Sequence, residues 1–293
     1  MRFAVLGPGG VGGLIAALLA RAGDPVEVLA GESTARDIAD GGIRVESTRF
    51  GDFTASVKAA SQLSEPVDAV LVTVKATQLE EAIKRAPPSA LGDAQVIPFL
   101  NGLEPVEVLR RVYPPDKVVP AAIRVVSARL GPGLIRHTSQ LASIEIGPAA
   151  EQVAAHLRSA GFDVRIRTDE HLMLWEKFVF LAPMALLTTD ARANVGTIRT
   201  KRRKDLTALL GEVSSIARAD GVSIDPAAIL RFIDAAPGMM ETSMQRDQAS
   251  GRPLELDALG GALLRRATRA GIDAPVTRRL VRQIEARSAS RSA

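Results

Sequence analysis

The chain contains no cysteine, which excludes a disulfide framework, thiol catalysis and thiolate metal ligation. Histidine is scarce, with only His137, His156 and His171 in 293 residues, so no histidine-rich metal site is expected. Aromatic residues make up 3%, too few to interleave with basic residues as nucleic-acid-binding surfaces require. No apolar run approaches the ~18 residues of a membrane helix, and no charged segment with a following apolar stretch precedes the first strand. The expectation is a cytoplasmic protein without membrane, nucleic-acid or metal partners.

The net charge of +4 is modest but unevenly placed. Thr200-Lys201-Arg202-Arg203-Lys204 forms one basic cluster, and 265–293 holds eight arginines against Asp273 and Glu285. Without interleaved aromatics these read as solvated helix faces that attract an anionic substrate or cofactor. The last helices are alternatively a subunit interface of a homodimer.

Glycine is where the information lies. An apolar run, Phe3 to Leu6, breaks into Gly7-Pro8-Gly9-Gly10-Val11-Gly12 and resumes as Leu14-Ile15-Ala16-Ala17-Leu18. This is strand, glycine turn, helix, the setting in which a dinucleotide pyrophosphate is held. Gly7 permits the tight turn, Gly9 lets backbone approach phosphate, and Gly12 lets helix pack on strand. The helix N-terminus, from Gly10 and Val11 on, offers free N–H groups to the anion. A glycine-rich turn that binds nothing is the plainer alternative, and the strand-to-helix setting outweighs it.

The first half alternates strands and helices: strands at 26–29, 67–74, 95–100, 117–125 and 163–167, helices at 78–84, 105–112 and 151–160. A β-hairpin is expected at 43–57 around Phe50-Gly51-Asp52, and a second one pairing 134–138 with 141–146. Strand alternating with helix predicts an α/β fold with a doubly wound parallel sheet of Rossmann type. Past Thr168, a plausible N-cap followed by Asp169 and Glu170, the apolar residues recur at helical spacing. Helices are predicted at 203–219, 226–235, 256–270 and 274–287. The domains expected are a dinucleotide-binding domain at 1–168 and an all-helical substrate or dimerisation domain at 169–293, with the tail 288–293 frayed.

Candidate chemistry falls at strand ends and in the helical half. Lys75 follows the strand ending at Val74, and Asn101-Gly102 follows the one ending at Leu100; ligands of open parallel sheets bind beyond such ends. Lys177 lies in the most apolar helix, flanked by Trp175, Phe178 and Val179. It either snorkels to the surface or is a cleft ammonium able to protonate a carbonyl oxygen as hydride arrives. Ser243 and Asp247 share a helical face, and Glu255 and Asp257 open the next helix, where capping is the simplest role.

Taken in order, GPGGVGG, TVKATQ around Lys75, FLNGLEP around Asn101, GPGLIRHT at 131–138, LWEKFVFLAP around Lys177 and TSMQRDQASGRPLELDAL at 242–259 resemble the ketopantoate reductase (2-dehydropantoate 2-reductase) family nearly end to end. The resemblance implies a Rossmann domain, a helical C-terminal domain and an active site between them. It implies hydride transfer from a reduced nicotinamide to C2 of a 2-keto acid, the pantothenate-pathway reaction in that family. Lys177 matches the catalytic proton donor and Glu255 the acid that orients substrate and lysine. Ser243 matches a substrate-binding serine, while Lys75 and Asn101 line the nicotinamide and substrate cleft, with Glu255 also on the cofactor side. The cofactor implied is NADP, with NAD the alternative.

Two positions depart from the family. Asparagines one and two turns beyond the catalytic lysine are replaced by Leu181 and Ala185, so the pocket is more apolar. The arginine expected after the second strand, to meet the 2′-phosphate of NADP, is Gly31. Glu32 fits a ribose diol, and Arg36 with Ser33 and Thr34 fits a phosphate. Two other readings stand beside the reductase: a dehydrogenase of the same plan acting on another hydroxy acid, and a non-catalytic dinucleotide-binding regulator.

Overall fold

The structure, a computed structural model, describes residues 1–289; of the expected frayed tail, 290–293 lies outside the described residues. The chain divides into two compact units, Met1–Leu100 with Pro105–Met173, and Asn101–Glu104 with Leu174–Ala293.

Unit 1 begins β1 (Phe3–Leu6), α1 (Gly10–Arg21), β2 (Val26–Leu29), α2 (Glu32–Gly41), β3 (Ile43–Ser47), β4 (Phe53–Ala55), β5 (Lys58–Ala60) and β6 (Ala69–Val72). It continues with α3 (Leu79–Ala82), α4 (Pro88–Leu91), β7 (Gln95–Pro98), α5 (Pro105–Val112), β8 (Ala121–Gly131), β9 (Leu134–Ile146), α6 (Glu151–Ser159) and β10 (Asp163–Ile166). A parallel sheet runs in the order β5-β2-β1-β6-β7. All four residues of β1, β2 and β6 are buried, as expected of strands covered on both faces. The predicted hairpin at 43–57 is present, with Ile43 opposite Ala55 and Val45 opposite Phe53.

Residues 134–138 and 141–146 do not pair with each other; they form the single 13-residue strand β9. Its hairpin partner is β8, antiparallel from Ala121–Ile146 to Gly131–Leu134, and the turn lies at Pro132-Gly133, with Gly133 at φ +64°. The polar Ser139-Gln140 pair resembles a turn but sits at an irregularity in the ladder between Val125 and Ser127. There the Ser139 hydroxyl accepts from the Val126 N–H at 3.0 Å, doing the work of a backbone carbonyl. Because β9 also pairs in parallel with β3 and β10, unit 1 holds a second, mixed sheet beyond the expected doubly wound one.

The division between units falls inside α7 (Glu170–Ala191). This helix is capped by Asp169, whose carboxylate accepts from the Leu172 N–H at 2.8 Å, rather than by Thr168. Contrary to expectation, α7 is long and apolar enough to cross a membrane, with mean hydropathy 1.4; 67% of that window is buried inside the protein, the signature of a core helix. Unit 2 continues with α8 (Val195–Lys201), α9 (Arg203–Ala219), α10 (Pro226–Ala235), α11 (Ser243–Ala249), a one-turn π-helix (Asp257–Gly261), α12 (Ala262–Ala270) and α13 (Pro275–Ala289).

Candidate active site

In unit 1 the turn between β1 and α1 is built around absent side chains. Gly7 has φ +94°, and a Cβ there would lie 2.4 Å from Val74 Cγ1. A Cβ on Gly12 would lie 2.2 Å from both the Gly7 carbonyl oxygen and Thr73 Oγ1, so α1 can sit this close only on glycine. Thr73 Oγ1 donates to the carbonyls of Leu6 (3.0 Å) and Gly7 (2.7 Å), tying the end of β6 to the turn. Gly10 serves packing: its Cβ would meet the Ser127 carbonyl at 2.5 Å, and Ser127 Oγ donates to the Gly10 carbonyl. Gly9 differs, because a Cβ there would meet nothing within 4 Å.

No side chain caps α1 and no acidic residue stands in its first turn. The helix geometry leaves the N–H groups of Gly10, Val11 and Gly12 without intrahelical acceptors, facing the open side at Gly9. That cradle fits a pyrophosphate.

Two further features lie at the carboxyl ends of the same sheet. Lys75, half-buried, stands three residues past β6 and heads a 3₁₀ turn at Ala76–Gln78, where its carbonyl accepts from the Gln78 N–H at 2.9 Å. Beyond β2 and β5, a pocket of about 240 Å³ is lined by Glu32, Ser61, Gln62, Glu81, Lys84 and Arg85. Arg85 Nη1 donates to the carbonyls of Ala30 and Ser61, both at 2.9 Å, which fixes a guanidinium beside position 31. Glu81 and Lys84 pair at 2.6 Å. Gly31 precedes α2 with open space where a Cβ would stand.

In unit 2, Asn101 and Glu255 meet: the Asn101 amide donates to the Glu255 carboxylate at 3.2 Å. Glu255 is only 5% exposed, and a carboxylate removed from water needs such donors. Glu255 immediately precedes the helical stretch that starts at Leu256, its carbonyl accepting from the Leu259 N–H at 3.2 Å, and Asp257 stands in the first turn, as expected of acids that favour the helix dipole. The Asp257 carboxylate also pairs with Arg265 at 2.7 Å. Arg265 also grips Glu104 with two bonds, at 2.9 and 2.6 Å, clamping the short segment that carries Asn101 onto α12. Both carboxylates hold the Arg265 pKa above its ordinary value.

Lys177 is half-buried on α7, between a fully buried Trp175 and a nearly fully buried Phe178. Trp175 is anchored by its Nε1–H to Asp220 at 2.9 Å and packs edge-on against Phe178, ring centroids 5.6 Å apart. These two side chains fix the rotation of α7 and hence the face on which Lys177 emerges. Leu181 and Ala185 continue that face at i+4 and i+8.

Ser243 opens α11 and is exposed. The residue that orders this turn, which the sequence reading passed over, is Thr242: its hydroxyl caps α11 by accepting from the Gln245 N–H at 3.3 Å. The Thr242 hydroxyl also lies 2.9 Å from that of Thr188 on α7. Thr-Ser ahead of a helical stretch is an N-cap signal that could have found it. Asp247, on the same helix, is buried and paired with Arg252 at 2.8 Å.

The family model for ketopantoate reductase PanE/ApbA matches residues 3–151, and its C-terminal counterpart matches 170–288. A 2-dehydropantoate 2-reductase of Mycobacterium tuberculosis is 32% identical over 300 residues, covering 97% of each chain. The crystal structure of a PanE/ApbA family ketopantoate reductase from Ralstonia eutropha superposes with a TM-score of 0.92 at 28% identity, covering 100% of both chains. A D-mandelate dehydrogenase in complex with NADH and anilino(oxo)acetate superposes with a TM-score of 0.93, also over the whole of both chains, but at 20% identity; that likeness shows the fold alone.

Proposed function

This chain belongs to the ketopantoate reductase family, and on that premise we propose that it reduces a 2-keto acid to the 2-hydroxy acid, with Lys177 as general acid. It is an oxidoreductase of the 2-dehydropantoate 2-reductase family that uses a nicotinamide dinucleotide. The observation that carries the site reading is the Asn101–Glu255 hydrogen bond, which holds a buried carboxylate in the unit that also bears Lys177.

Residues of unit 1 would hold the dinucleotide: the N–H groups after Gly9 on the pyrophosphate, with Lys75 at the strand end. When bound, a reduced nicotinamide supplies hydride to C2 of the substrate. Lys177 delivers the proton to the carbonyl oxygen, and its ammonium stabilises the alkoxide charge that develops there. Glu255 takes the role of orienting substrate and lysine, Asn101 holds that carboxylate in one position, and Ser243 offers a hydroxyl to the substrate.

The coenzyme proposed is NADPH. The fixed Arg85 guanidinium beside position 31 supports it, standing in for an arginine at Gly31. Glu32 in the same pocket supports NADH as the second reading.

The experiment is steady-state oxidation of NADPH and NADH with a panel of 2-keto acids, wild type beside Lys177→Ala. The expected kcat for the variant is lower by ~10²–10⁴-fold, the range of a lost general acid, with coenzyme affinity kept. Tight coenzyme binding without turnover on any 2-keto acid would refute the reductase reading and favour a dinucleotide-binding regulator.

A further inference from the structure

We propose that the substrate carries an apolar C3 substituent, branched alkyl or aryl and free of hydroxyl groups, and that Phe180, Leu181 and Phe232 set this preference. The inference rests on the 2-keto acid reduction proposed above and narrows its substrate class.

After Lys177, the next ten residues of α7 are Phe178 to Leu187, all apolar. At 1.5 Å per residue, about 15 Å of helix beyond the ammonium offers no side-chain donor or acceptor. The first polar side chain along that path is Thr188, and its hydroxyl is committed to the Met184 carbonyl at 2.8 Å and to Thr242 at 2.9 Å. On the face shared with Lys177, Leu181 is half-buried and Ala185 is sealed at 1% exposure. Phe180, at i+3 from Lys177, is half-buried and packs edge-on against Phe232 of α10, with ring centroids 5.2 Å apart and planes at 82°. Phe232 remains 61% exposed.

An ammonium for the ketone oxygen is thus followed by leucine and two edge-packed phenyl rings. Such a surface accepts methyl or aryl groups and offers a hydroxyl no side-chain partner, so a hydroxylated substrate loses water there without a side-chain bond in return.

Two substrates isolate the effect. Trimethylpyruvate and ketopantoate share one skeleton and differ by a single terminal hydroxyl; phenylglyoxylate adds an aryl group. With the full chain and its preferred reduced coenzyme, kcat/KM for trimethylpyruvate should exceed that for ketopantoate by about tenfold to a hundredfold, the discrimination available to an apolar pocket. Leu181→Asn should narrow that gap by about tenfold by restoring a partner. Phe232→Ala should lower kcat/KM for phenylglyoxylate by about fivefold through the lost ring contact, with trimethylpyruvate changed far less.

Ketopantoate turned over as well as or better than trimethylpyruvate would overturn the inference while leaving the reductase reading intact. It would place the hydroxyl on another acceptor, such as the Val179 carbonyl, which Pro183 deprives of its helical donor. Absence of turnover on all three acids would refute the reduction itself, and the inference with it.

Discussion

Asn101 and Glu255, separated by 154 positions in the chain, are joined by a hydrogen bond of 3.2 Å from amide nitrogen to carboxylate oxygen. Bonds to a charged group contribute about 1.5–3 kcal/mol, whereas the exposed Arg265–Glu104 pair that holds the same segment contributes about 0–1 kcal/mol. Asn101→Ala should therefore lower kcat/KM by about tenfold or more, and Glu104→Gln by less than about threefold. Kinetics of Asn101→Ala indistinguishable from wild type, on a folded protein by circular dichroism, would disconnect this pair from the reaction.

The glycines of the first turn separate binding from folding. Gly9 has open space around its Cβ direction while Gly12 has none. Gly9→Val should leave the thermal midpoint close to wild type and weaken coenzyme binding by about tenfold or more, since the added methyls occupy phosphate-approach space. Gly12→Ala should instead destabilise the protein by about 1–3 kcal/mol, the range for overpacking. Isothermal calorimetry beside thermal melts reads both effects; a Gly9→Val protein with full coenzyme affinity would remove the pyrophosphate from this turn.

The proposed preference for NADPH is tested around Gly31. Because a Cβ at 31 meets nothing within 4 Å, Gly31→Arg should fold normally and raise the NADPH-to-NADH ratio of kcat/KM by about tenfold, as a new charge-assisted phosphate contact would. Arg85→Ala should lower the same ratio, and Glu32→Gln should lower NADH use selectively. An Arg85→Ala ratio equal to wild type would assign the preference to NADH through Glu32.

Acid stability should depend on His137. Its ring is fully buried, with Nδ1 2.9 Å from the Ser47 hydroxyl and Nε2 3.0 Å from that of Ser139. Burial holds its pKa below the ordinary 6.5, and the Arg49 guanidinium acts in the same direction, while the Leu141 carbonyl opposes both. In the window between the lowered folded value and 6.5, the unfolded chain binds a proton that the native protein does not, so stability rises with pH there. Urea midpoints should be level above pH 6.5 and fall as pH drops through that window. His137→Gln should flatten this slope; an unchanged slope would assign it to carboxylates.

What could be read in the sequence was local. Helices α9 and α10 have the bounds that the sequence predicts, and in the structure Asp225 caps the second, accepting from the Ala227 N–H at 2.9 Å, with Pro226 in the first turn. The seven-residue helix α8 is not legible in the sequence, because fewer than two full turns leave too little periodicity to see, whereas α11 bears out the helical face shared by Ser243 and Asp247. The strand β9 was split in two because Ser139-Gln140 has turn composition, and the β8 partner that keeps it extended lies elsewhere in the chain.

The sequence by itself determined the glycine cradle, the lysine in an apolar helix and the two-part architecture, since each rests on residues within a few positions of one another. Tertiary structure alone decided that the Glu255 carboxylate meets Asn101, that Arg85 reaches back to position 30, and that Phe180 finds Phe232. Those are contacts across tens to hundreds of residues, and their partners are chosen by how the elements pack, which no local pattern encodes.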